Sequence, residues 1–142
     1  IMRTSQNGIN LIMGFESLRV EAYRCPAGVW TIGYGHTAGV KRGDRIDERR
    51  AEQLLAEDLR QSEAVVNREC PGLSQNRFDA LVSFVFNVGE TQFLRSTLLK
   101  CVRANPANTN IRYELSRWTR SKGVELAGLI RRRRAEADLY FS

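Results

Sequence analysis

Apolar residues Ile9, Ile12, Met13 and Phe15 recur at helical spacing, and Thr4, Ser5 and Asn7 ahead of them are all capping types. The spacing predicts a helix over about residues 5–15, with Glu16 at or just past its C-terminal end. Cys25-Pro26-Ala27-Gly28 carries turn chemistry, and Val29 to Tyr34 is rich in β-branched and aromatic residues before Gly35. A short hairpin therefore follows the first helix. From Asp47 the period returns to that of a helix. Asp47 suits an N-cap and Glu48 the first turn, while Leu54, Leu55, Leu59 and Val66 form an apolar stripe among charges. This is one long amphipathic helix, ended by Cys70-Pro71-Gly72.

Ser74 or Asn76 caps the next helix, which runs through Phe78, Leu81, Val82, Val85 and Val88. Phe84 and Phe86 make it apolar nearly all round, which predicts a place inside a helical lobe. Three later segments, Phe93 to Val102, Ile111 to Thr119 and Leu126 to Phe141, are helix-compatible and are broken by Asn105-Pro106 and by Lys122-Gly123. The order predicts a single α+β domain, predominantly helical. A β-hairpin lobe occupies about 17–46 and a linking helix about 47–68. A larger helical lobe, about 69–142 plus the N-terminal helix, completes it. A cleft between the lobes is the natural ligand site.

Composition narrows the classes. At 142 residues and 42% hydrophobic, the chain has enough apolar side chain for a core without a metal or staple. Its net charge of +6 implies an acidic polymer as partner but does not choose among nucleic acid, anionic lipid and bacterial wall. The most apolar run, Ala80 to Val88, is interrupted by Ser83 and Asn87 and falls short of the roughly 18 residues of a membrane span, so stable membrane insertion is not expected. Ile1 ahead of Met2 reads either as a cloning scar or as the remnant of a removed targeting segment.

Cys25, Cys70 and Cys101 form no CxxC pair and His36 is the single histidine, so no metal and no cofactor is expected. Three cysteines leave at least one thiol unpaired; a disulfide from Cys25 to Cys70 or Cys101 is one arrangement left open. Arg131 to Arg134 cannot all share one helix face, and the run reads as solvated rather than as a nucleic-acid surface. His36 reads as a structural hydrogen-bonding residue, and Trp30 and Trp118 as packing residues.

Cleavage of a glycosidic bond needs a carboxylic acid for the leaving oxygen and a second group that manages water or the developing cation. Glu16 is a candidate for the first. Cys25 and Thr31 lie nine and fifteen residues further on, where a hairpin can fold them back; spacing permits a shared site without requiring one. Taken alone, Glu16 is a solvated helix-end carboxylate and Thr31 an ordinary strand residue.

Glu16, the position of Cys25 and the run Thr31-Ile32-Gly33-Tyr34-Gly35-His36-Thr37 together resemble the catalytic signature of phage-type lysozymes, the endolysin muramidases. The resemblance continues through residues 78–89, Ser96-Thr97-Leu98-Leu99, Trp118 and Gly128 to Arg133, four blocks in family order. Where this chain has Cys25 the family usually has aspartate, with cysteine a recurrent variant. The resemblance implies a lysozyme-like fold. It also implies hydrolysis of the β-1,4 bond between N-acetylmuramic acid and N-acetylglucosamine in peptidoglycan, causing host lysis.

On that reading Glu16 donates the proton, Cys25 assists and Thr31 orients water, while Tyr34, Phe86 and Asn87 bind substrate. A glutamate with the ordinary value of about 4.3 is ionised at neutral pH, so the donor role calls for apolar burial or a competing charge, with Phe15 and Tyr23 as candidate neighbours. Cys25 can act as thiolate base, weak polariser of water or covalent nucleophile, and these stay open. The implied partner is the glycan strand and not nucleic acid. The chain is expected to be a monomer working in the periplasm or wall after cytoplasmic synthesis, with help from a holin-type pore. A lytic transglycosylase and an inactive peptidoglycan-binding module are the competing readings.

Overall fold

The computed structural model describes residues 1–142. Helix α1 (Gln6–Phe15) starts at Ser5, whose hydroxyl accepts from the Gly8 N–H, and stops where Glu16 turns to extended backbone. Strands β1 (Arg19–Arg24) and β2 (Trp30–Gly33) form an antiparallel hairpin with Tyr23 opposite Thr31 and Arg24 opposite Trp30. A bulge between Arg19 and Tyr23 shifts the register. The turn closes through the Cys25 N–H to Val29 O at 3.0 Å, with Gly28 at φ 82°.

Helix α2 (Glu48–Glu69) is the long connector. Asp47 caps it by accepting the Arg50 N–H at 2.7 Å, and Leu54, Leu55, Leu59 and Val66 are buried as their stripe predicts. Helix α3 (Gln75–Val88) packs against α1, α2 and a C-terminal helix, α7 (Ala127–Tyr140), and buries Phe78, Leu81 and Phe84 to 1% exposure or less. This is the inside position expected of a helix apolar all round. Ser74 stands at its N-cap position but makes no side-chain capping bond. Phe93, Leu98, Ile111 and Leu115 complete the core from the shorter helices.

Two expectations need correction, and one open alternative is decided. The segment Phe93 to Val102 is two helices, α4 (Glu90–Arg95) and α5 (Thr97–Ala104). Ser96 separates them because its hydroxyl donates to Phe93 O at 2.6 Å and accepts from the Leu99 N–H at 3.1 Å, ending one helix and capping the next. Helix α6 (Ile111–Ser116) is shorter than predicted, and the Lys122-Gly123 break is the turn of a second hairpin, β3 (Arg120–Ser121) and β4 (Val124–Glu125). Lys122 at φ 51° and Gly123 at φ 79° give that turn the hand that suits antiparallel strands. The disulfide left open for Cys25 is not formed, since all three cysteines are unpaired.

Candidate active site

Glu16 enters the cleft because α1 ends there. Its backbone N–H bonds to Ile12 O while its ψ of 129° turns the following chain out of the helical path, leaving the Glu16 side chain at the helix end. The side chain is 26% exposed, and Oε2 accepts from Arg132 Nη1 at 2.6 Å. Oε1 lies toward Gly35, where an added β-carbon would stand 3.9 Å from it. Gly35 has φ 89°, a conformation glycine adopts at no steric cost. The expected apolar wall is present only in part. Phe15 lines the same groove, with the Arg132 guanidinium 5.8 Å from its ring centre, but the nearest partner of Glu16 is a cation. Tyr23 instead stacks under Arg19, 4.2 Å from ring centre to guanidinium carbon.

The groove encloses about 500 Å³ and brings Glu16 together with Asn87, Leu126 and Arg132. Asn87 and Leu126 also border an adjoining groove of about 360 Å³ that runs to Trp118 and Arg120. Asn87 is exposed; its Oδ1 accepts from Arg133 Nη2 at 2.8 Å, which leaves the amide NH2 as a donor without a hydrogen-bond partner in the fold. Phe86 is half-buried against the core. Tyr34 is 6% exposed within the core, where burial, then the charges of Glu48 and Glu52, push its hydroxyl up. The hairpin residue expected to bind substrate thus packs inward toward α2.

Cys25 and Thr31 meet at the turn end of the β1–β2 hairpin. Hydrogen bonding from the backbone at Val29 pulls the Cys25 thiol below its ordinary value; desolvation opposes this, and the Ala27 backbone and Thr31 hydroxyl add to the lowering. Thr31 is 4% exposed and its hydroxyl donates to Val29 O at 3.0 Å. Their proximity follows from the register, since the ladder sets Thr31 opposite Tyr23, and Cys25, two residues after Tyr23 and just past the end of β1, falls on the same face. His36 uses both ring nitrogens within the fold, Nδ1 to Asp58 at 2.8 Å and Nε2 to Ala38 O at 3.0 Å, in keeping with its structural reading.

Likeness to known proteins covers the chain from end to end. The Phage lysozyme family model matches residues 13–136. The chain belongs to the phage lysozyme family. It is 42% identical to an endolysin of Acyrthosiphon pisum secondary endosymbiont phage 1, over 99% of both chains. Against the longer endolysins of Bacillus phages PZA and B103 it spans 56% and 55% of their lengths. Among solved structures it superposes on the muramidase domain of SpmX from Asticaccaulis excentricus with TM-score 0.90 and 38% identity, covering 100% of this chain and 99% of that one. A point mutant of P22 lysozyme gives TM-score 0.90 at 32% identity over the whole of both chains. The fold is thus lysozyme-like, and the chain is a lysozyme-type glycoside hydrolase with the lytic role of an endolysin, acting on the peptidoglycan of the bacterial wall. No helix is long and apolar enough to cross a membrane.

Residue reading alone missed Arg132, Arg133 and Glu136. The arginine run is a correction: Arg132 and Arg133 are 3% and 1% exposed, and only Arg131 and Arg134 face solvent. One signal was available, since Arg132 and Arg133 stand four and three residues before Glu136, the spacing of helical ion pairs.

Proposed function

We propose that the chain hydrolyses the β-1,4 bond between N-acetylmuramic acid and N-acetylglucosamine. In this mechanism Glu16 protonates the leaving oxygen, Thr31 places a water, and Cys25 acts as its base. The observation that carries the reading is Glu16 itself. Its carboxyl presents one oxygen toward Gly35, in a groove that continues past Asn87, while Arg132 fixes the direction of the other oxygen; the arginine orients the group and does not keep its proton. A groove with two joined lobes suits a polymer more than a single sugar. The free NH2 of Asn87 is a donor for an N-acetyl carbonyl, while Phe86, its neighbour in the chain, packs against the core. Backbone donors draw the Cys25 thiol toward thiolate, the form whose negative charge an oxocarbenium-like transition state favours.

Turbidity loss of outer-membrane-stripped Gram-negative cells tests the assignment. Glu16→Gln abolishes lysis, Cys25→Ser lowers it strongly, and Cys25→Asp retains it. Wild-type lysis by Glu16→Gln would remove Glu16 as the acid, and failure of the unaltered chain to lyse would favour the inactive wall-binding module. Product analysis separates the chemistries: hydrolysis leaves a reducing end one water heavier than the anhydro sugar of a transglycosylase. NMR of the first-formed anomer separates inversion, expected for a base-activated water, from retention, expected if Cys25 attacks the sugar carbon.

In the same reading the chain works as a monomer in the periplasm or wall and reaches it through a holin-type pore. Its +6 charge favours residence on an anionic wall. Lysis of producing cells with and without a co-expressed holin checks the route, and sedimentation of the purified chain checks the monomer.

A further inference from the structure

Beneath the groove lies a cluster of charge that the proposed chemistry does not use. Glu136 is 0% exposed, and buried charges persist only when paired and hydrogen-bonded. Its Oε2 accepts from the Ser83 hydroxyl at 2.6 Å, from Arg133 Nη2 at 3.1 Å and from Arg132 Nε at 3.4 Å. Oε1 is in ion-pair contact with Arg133 Nε at 2.7 Å, without the alignment of a hydrogen bond. Burial pushes this carboxyl up, while the two guanidiniums and Ser83, the charged and polar groups that face it from α7 and α3, pull it down.

Glu136 is hydrogen-bonded neither to Glu16 nor to Asn87, yet both arginines that hold it do reach them. Arg132 gives its Nη1 to Glu16 at 2.6 Å and its Nη2 to Ser83 O at 3.3 Å. Arg133 gives its Nη2 to Asn87 at 2.8 Å and its Nη1 to Trp118 O at 3.4 Å. A guanidinium is a rigid plane, so fixing one edge fixes the direction of the other. Glu136 and Glu16 are the two acidic side chains in contact with the arginine pair, so removing Glu136 leaves Glu16 as the only one.

We infer that Glu136 is a positioning residue: one buried carboxylate locks two arginine planes, one aiming the acid Glu16 and the other aiming the groove amide of Asn87. Proton donation and sugar binding are thereby set from a single point under the floor of the groove. The inference rests on the reading of Glu16 as the acid. It adds to that reading a coupling between the two halves of the site.

The test is a kcat and KM split on soluble glycan strands from peptidoglycan, with the full chain and with thermal melts confirming that each variant is folded at the assay temperature. Glu136→Gln keeps the side-chain shape and removes the charge. It is expected to lower kcat and raise KM, each by roughly tenfold or more, since misplacement by an ångström can cost about a hundredfold. Arg132→Lys loses mainly kcat, and Arg133→Lys loses mainly KM. A purely structural network would instead lower kcat in proportion to the folded fraction, leave KM at the wild-type value and make the two lysine variants alike.

Wild-type kinetics in folded Glu136→Gln, or lysine variants with one common pattern, would overturn the inference. Should Glu136→Gln not fold, the split between the lysine variants decides alone. Glu16→Gln run in parallel separates the two failures. If it stays active, the acid reading falls; if it is dead while Glu136→Gln is normal, only the clamp falls.

Discussion

Two glycines in α1 face opposite fates on substitution by alanine, and the structure fixes the sign of each. In a helix interior alanine is favoured over glycine by about 0.8–1.0 kcal/mol, because glycine loses more backbone freedom on folding. Gly14 has nothing within 4 Å of the β-carbon position, so Gly14→Ala should stabilise by most of that amount. At Gly8 the same atom would stand 2.6 Å from Thr4 Cγ2 and 2.8 and 2.9 Å from Asp79 Cγ and Cβ.

Neither neighbour of Gly8 can yield. Asp79 is 0% exposed and accepts from the Ser5 N–H at 3.0 Å, from the Ser5 hydroxyl and from Gln75 Nε2 at 2.8 Å, while the Thr4 hydroxyl is bound to Glu63 at 2.7 Å. Overpacking costs about 1–3 kcal/mol, and with two anchored groups the upper end applies. The net for Gly8→Ala is then a loss of about 2 kcal/mol once the helix-propensity gain is set against it. At about 2–4 °C per kcal/mol for a chain of this size, Tm falls by about 4–8 °C for Gly8→Ala and rises by about 2–3 °C for Gly14→Ala. Thermal unfolding followed by circular dichroism reads both. A Gly8→Ala protein as stable as the parent, or a Gly14→Ala protein less stable than it, would refute the reasoning.

Other outcomes follow from the thiols and caps. Timed alkylation with iodoacetamide, read by mass spectrometry, should label Cys25 first and Cys70 last in the folded chain, because backbone donors draw Cys25 toward thiolate while burial pushes Cys70 up to about 11. Cys70 also gives an alkaline signature. The unfolded thiol loses its proton near the ordinary 9.0 and the folded one at about 11, so between those values the unfolded state binds fewer protons and stability falls as pH rises. Below that window the contribution is complete, and Cys70→Ala should flatten the decline in a Tm series across it. Asp47→Ala removes the cap of α2 and should cost about 1 kcal/mol in a denaturant melt.

Local chemistry alone carried much of the architecture. Ser5 and Asp47 cap the helices they precede, the turn at Cys25 to Gly28 makes the hairpin, and the stripe of Leu54, Leu55, Leu59 and Val66 is the buried face of α2. These features were legible because capping, turn formation and amphipathic periodicity are settled within a few residues along the chain. The motif around Glu16 and Thr31 was legible for the same reason, as a pattern of neighbours in sequence.

Tertiary packing decided the rest. Nothing near Arg132 in the chain says that its partner is Glu16, 116 residues away, nor that Arg133 turns to Asn87, 46 residues away. Periodicity marks which side of a helix is apolar; it does not say which distant element covers that side. A basic run on α7 therefore looked solvated until α3 and α1 were packed over it, and Tyr34 looked available until α2 closed on β2. A charge can be buried only where a counter-charge is brought to meet it, and that meeting exists in the folded chain alone.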